Sequence, residues 1–64
     1  MKVGDKVKWN DPGILDYAPE DREEVLNRVF EIVELDEENN YAFIYEVDGV
    51  SEAEVYLTEL VPVN

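Results

Sequence analysis

Two acidic pairs, Glu23-Glu24 and Glu52/Glu54, are the residues here with an arrangement suited to acid–base chemistry, since carboxylates held together can divide the roles of proton donor and acceptor. That division requires an enclosed cleft that raises one pKa above the other, and 64 residues offer little room for one. The sequence has no histidine and no cysteine, so Ser51 and Thr58, its only aliphatic hydroxyls, lack the base a nucleophile needs. The usual zinc sites and disulfides are excluded for the same reason. Asp36-Glu37-Glu38-Asn39-Asn40 places oxygen ligands at alternate positions, as a calcium loop does. Counting from Asp36, however, the glycine needed at the sixth position is Tyr41 and the closing glutamate at the twelfth is Val47. The sequence therefore predicts no enzyme, no cofactor and no metal, and a hydrophilic hairpin tip at residues 36–40.

Recognition chemistry is better represented. Tyr41, Phe43 and Tyr45 alternate along one run, and Tyr56 follows Glu52 and Glu54 on the next. Aromatic faces rimmed by carboxylates suit a cationic partner, each cation–π contact contributing roughly 0.5–2 kcal/mol. The competing reading is that these rings are covered by a strongly curved sheet and a short helix. Trp9 shares a face with Val3 and Val7 and reads first as a core side chain, second as a groove anchor. Tyr17 either pins a lid or edges a groove; the sequence leaves both open.

These residues sit on strand-like segments. Val3 to Trp9 alternates apolar residues with Lys6 and Lys8, so one side faces a core. Asn10-Asp11-Pro12-Gly13 is turn chemistry. Pro19 to Asn27 predicts about two helical turns, with proline at the first helical position and acids at the positive end of the dipole; Asp21 with Glu24 offers an alternative capping-box start. Ala18, Val25, Leu26 and Val29 fall at helical spacing, which predicts a lid packed apolar side down. Arg28 to Leu35, Tyr41 to Val47 and Ser51 to Leu57 then read as three strands of a meander.

Parity sets the faces. A two-residue Asp48-Gly49 loop places Ile44 opposite Ala53 and Ala42 opposite Val55, all four inward, and a four-residue loop keeps that sidedness. A three-residue loop would oppose Ile44 to Glu54. Tyr41, Phe43, Tyr45 and Tyr56 then face outward. For Arg28 to Leu35 the sidedness stays open, because Phe30 and Ile32 alternate against Val29, Val33 and Leu35, and a bulge would let both sets pack.

Val3-Gly4-Asp5-Lys6-Val7-Lys8-Trp9, an inserted loop, three meandering strands and Tyr56-Leu57-Thr58-Glu59-Leu60-Val61-Pro62-Val63 together resemble the SH3-like small barrels, including Tudor-like and KOW-like domains. The likeness covers nearly the whole chain. It implies a mainly β, five-stranded barrel over residues 1–64, with the helix in the first long loop and a 3-10 turn at Thr58-Glu59-Leu60 before the last strand. More narrowly, the chain is similar to short, acidic, stand-alone bacterial proteins, which implies no particular role. Asp16-Tyr17 is all that matches the Ala-Leu-Tyr-Asp-Tyr run of peptide-binding SH3 domains. Beyond Asn10 only Arg22 and Arg28 remain of the basic residues that KOW-like RNA binders use.

Charge narrows the partners. Five basic against 17 acidic residues give −12, which disfavours direct nucleic-acid binding and anionic membranes. Met1 to Asn10 carries three lysines and one aspartate, so residues 11–64 carry −14. That asymmetry fits neutralisation between neighbouring strands and, as a second reading, head-to-tail association of a weak homo-oligomer. The lack of a long apolar run predicts a soluble protein, and the lack of cysteines makes the cytoplasm its expected location. Its leading functional expectation is a non-catalytic module, monomeric or weakly self-associating, that binds a basic protein segment, with Trp9, Tyr17, Tyr41, Phe43, Tyr45 and Tyr56 as binding residues. The alternatives are an acidic nucleic-acid mimic that inhibits a DNA- or RNA-binding protein, and a structural accessory with no site of its own.

Overall fold

The computed structural model describes residues 1–63. The predicted domain, residues 1–64, ends on Asn64, which lies outside them. The chain runs β1 (Lys6–Trp9), a 3-10 turn (Ile14–Asp16), α1 (Pro19–Asn27), β2 (Val29–Asp36), β3 (Tyr41–Glu46), β4 (Glu52–Tyr56), a second 3-10 turn (Leu57–Glu59) and β5 (Leu60–Pro62). The five strands form one antiparallel sheet in the order β4-β3-β2-β1-β5. Among the described residues no helix is long and apolar enough to cross a membrane.

All five strands contribute to one core. Val7 of β1, Phe30 and Ile32 of β2, Ala42 and Ile44 of β3, Val55 of β4 and Leu60 of β5 form a single buried cluster, with Trp9, Leu35, Ala53 and Leu57 packed against it. The helix adds only Val25 to the buried set, so the core is built almost entirely from the sheet's own side chains. The β3–β4 register matches the even-loop expectation: Ala42 faces Val55 and Ile44 faces Ala53. The connection is a four-residue loop, closed by Glu46 N–H donating to the Ser51 carbonyl at 2.7 Å.

In β2 an irregularity resolves the sidedness left open above. Ile32 pairs with Ile44 and Glu34 with Phe43, so Val33 is an extra residue with no partner on β3. Such a bulge reverses strand parity. Phe30 and Ile32 point inward before it and Leu35 after it, while Val33 is 38% exposed.

Three expectations need correction. The first strand begins at Lys6, because Gly4, at φ +95°, lets Asp5 N–H reach back to the Lys2 carbonyl in a turn; Val3 is thereby left 59% exposed, outside the inward row. The helix occupies Pro19–Asn27 as predicted, starting at proline and not at Asp21, but of the four positions expected to pack, Ala18 only caps it, Val29 opens β2, Leu26 is exposed and Val25 alone is buried. Its remaining residues are mostly charged, and Leu26 lies at the edge of the narrow apolar stripe. The second 3-10 turn lies one residue earlier than expected, at Leu57–Glu59.

The bulge predicts unequal costs for neighbouring truncations. Ile32→Ala should destabilise the fold by about 2–5 kcal/mol, while Val33→Ala should cost less than about 1 kcal/mol. Denaturant unfolding of the two variants measures the difference, and equal losses would contradict the observed parity.

Candidate aromatic and acidic face

Each outward aromatic of β3 stands between residues of β2 and β4 in a lateral rung. Glu31, Tyr45 and Glu52 form the first rung, Glu34, Phe43 and Glu54 the second, and Asp36, Tyr41 and Tyr56 the third. Adjacent strands lie about 4.8 Å apart, so carboxylates flank Tyr45 and Phe43 on both sides and Tyr41 on one. Tyr45 is 40% and Tyr56 63% exposed, and Tyr41 and Phe43 are half-buried. Asn39, Tyr41, Glu54 and Tyr56 line a shallow depression at one end of the stripe. Among the described residues, no three carboxylates converge enough to hold a metal ion. The acidic groups form flanking rows.

The β2 row is what sequence reasoning missed. Glu31 lies before the bulge and Glu34 and Asp36 after it; without the extra residue Glu34 and Asp36 would point into the core. The available signal was the apolar spacing Phe30, Ile32, Leu35, in which a gap of three replaces the gap of two.

Local structure fixes the charges. Asp36 accepts the Asn39 backbone N–H at 3.0 Å and its side-chain amide at 2.9 Å, closing the β2–β3 turn, where Asn40 takes a left-handed φ of 62°. These bonds from Asn39 hold the Asp36 carboxyl below its ordinary range. The negative charge of Asp36, with partial desolvation and the more distant Glu54, pushes the Tyr41 phenol up. Among the described residues, Glu31 is the one rung acid with an ion-pair partner, Lys6 Nζ at 2.6 Å, directly across from it on β1. Lys8 donates to the Asn27 side-chain oxygen at 3.3 Å, so both β1 lysines are engaged within the chain.

Trp9 and Tyr17 lie elsewhere. Trp9 packs edge-on to Phe30, with ring centroids 6.3 Å apart, on the inner side of the sheet. Tyr17 follows the first 3-10 turn, where Arg22 donates from Nε to the Tyr17 carbonyl at 3.1 Å and from Nη2 to the Leu15 carbonyl at 3.2 Å. Both rings line a cleft between α1 and the sheet with Val25, Arg28, Phe30 and Ala53. The Trp9 Nε1–H is buried there without an acceptor among the described residues. The structure thus gathers Tyr41, Phe43, Tyr45 and Tyr56 on the outer face and sets Trp9 and Tyr17 apart.

Comparison with protein-family models, with curated proteins and with solved structures gives no match for this chain. The outer face has to be interpreted from its own chemistry.

A carboxyl whose folded pKa is depressed favours folding above its unfolded pKa, and the contribution disappears as pH falls through the lower folded value. Asn39→Ala should therefore raise the Asp36 titration midpoint, read by NMR, toward the ordinary carboxylate value and weaken stability above that value. For Tyr41 the sign is opposite, with stability lost as pH rises through about 10 and beyond, and Asp36→Asn should lower its alkaline midpoint. Because most carboxylates have no ion pair among the described residues, the melting temperature should rise between low and physiological salt as repulsion is screened. Calorimetry at the two salt concentrations checks this, and a fall would contradict it.

Proposed function

We propose that the protein is a non-catalytic interaction module that binds a basic segment of a partner protein on its outer sheet face. The observation that carries this reading is the set of three rungs, in which each ring of β3 lies beside at least one carboxylate of β2 or β4, and Phe43 lies between two, Glu34 and Glu54, that have no ion pair among the described residues. A lysine or arginine laid there meets a ring face and an anionic oxygen together, and both attractions strengthen as water is displaced. Spread along rows, the charges suit an extended cationic chain better than a single ion. Trp9 and Tyr17, on the far side, serve packing and the cleft.

The strand order, the helix in the first long connection and the 3-10 turn before β5 support an SH3-like barrel as the scaffold of this module. In that reading the sheet curves around the shared core and leaves the outer edge of β4 open, and the protein acts in the cytoplasm, where a chain without cysteines loses nothing. A second reading, nucleic-acid mimicry, is favoured by one specific observation: Glu31, Glu34 and Asp36 on β2 and Glu52 and Glu54 on β4 make two acidic rows on one face.

Replacing Tyr45 and Tyr56 together by alanine tests the leading reading. The double variant should keep its circular dichroism spectrum and bind a lysine- and arginine-rich peptide at least about tenfold more weakly, as expected for two lost cation–π contacts. Equal affinity would remove the proposal. Binding that ignores the tyrosines but collapses steeply with salt would favour mimicry.

A further inference from the structure

Hydrogen-bond parity leaves part of β4 unsatisfied. The strand is bracketed by two bonds to the β3 side, Glu46 N–H to the Ser51 carbonyl at 2.7 Å and Leu57 N–H to the Asn40 carbonyl at 3.0 Å. Bonded pairs alternate along an antiparallel ladder, so Ser51, Ala53, Val55 and Leu57 turn their backbone groups toward β3. Glu52, Glu54 and Tyr56 turn theirs outward. Tyr56 N–H is taken by the Glu59 carboxylate at 3.4 Å. The N–H and C=O groups of Glu52 and Glu54 have no backbone partner among the described residues, and both residues are exposed at the sheet's edge. The other edge is blunted: β5 has three residues, one of them Pro62, which carries no N–H.

We infer that β4 is the docking edge for the basic segment, which adds to the sheet as a sixth strand with a lysine or arginine opposite Glu52 and another opposite Glu54. This rests on the proposed binding of a basic segment and specifies its conformation and spacing. Side chains directly opposite across an antiparallel pair lie about 5 Å apart, so cations at alternate positions continue the rungs outward from Tyr45–Glu52 and Phe43–Glu54. The fold already contains one such pairing. In β1, Lys6-Val7-Lys8-Trp9 places lysines at alternate positions, and Lys6 meets Glu31 of β2 across the ladder at 2.6 Å. A second copy is a poor occupant: two β4 edges would set glutamates against glutamates, and β1 is already paired on both sides, by β2 and β5. Strand addition draws affinity from main-chain bonds and selectivity from alternate side chains.

The probe is a peptide of about seven residues in which lysine alternates with valine or threonine, its ends blocked. On saturation, amide hydrogen exchange at Glu52 and Glu54 should slow by at least about tenfold, with little change at Ala53 and Val55, which are already bonded to β3. Backbone N-methylation of the lysines, whose N–H groups face β4, should weaken binding by about tenfold or more, and N-methylation of the intervening residues by less than about threefold. The double variant E52K/E54K should prefer a peptide with glutamate in place of lysine. Binding of the lysine peptide with unchanged Glu52 and Glu54 exchange and no dependence on the methylated position would overturn strand addition while leaving the outer-face reading intact. Failure of every basic peptide, including contiguous lysine sequences, would overturn both.

Discussion

Because Val33 is an extra residue between the Ile32–Ile44 and Glu34–Phe43 pairs, β2 delivers apolar side chains to the core at both of its ends and carboxylates to the outer surface at both of its ends. An unbroken alternation could not do this. Following Phe30 and Ile32 inward, it would carry Glu34 and Asp36 into the interior, where an unpaired carboxylate costs several kcal/mol, and would expel Leu35 to water. The one-residue slip thus gives the sheet a continuous apolar interior and its outer face a second acidic row. Such a bulge also bends the strand that carries it.

The two faces then obey different physics. Inside, Ile32, Ile44 and Val7 are fully buried, and their contribution is set by area removed from water and by close packing. Outside, the rings of β3 are partly wet and hemmed by like charges that repel one another through solvent. Lys6 relieves that repulsion at Glu31, and among the described residues Glu34, Asp36, Glu52 and Glu54 have no ion pair. A face of this kind is held in place by the core beneath it, so its composition is free to answer to something other than folding.

Much of this was legible in the sequence, for identifiable reasons. The β3–β4 pairing was recoverable because both strands alternate cleanly and any even loop at Asp48-Gly49 yields one register. Pro19 marked the start of the helix because proline costs nothing at that position. The β2 row was not legible, since a bulge is a tertiary decision, made when two apolar sets compete for one interior. Val3 was misplaced because period-two spacing says nothing about a glycine at positive φ that turns the chain before the strand begins. The helix buried less than its spacing suggested because charged neighbours narrowed its apolar stripe to Val25.

The position of Trp9 has a practical corollary. It is the chain's sole indole, set edge-on against Phe30 beneath the α1 cleft, whereas Tyr41, Tyr45 and Tyr56 lie on the opposite side of the sheet. Excited at wavelengths that tyrosine does not absorb, this indole reports the integrity of the interior alone, and a ligand that occupies the outer face while leaving that emission unchanged has bound without disturbing the scaffold.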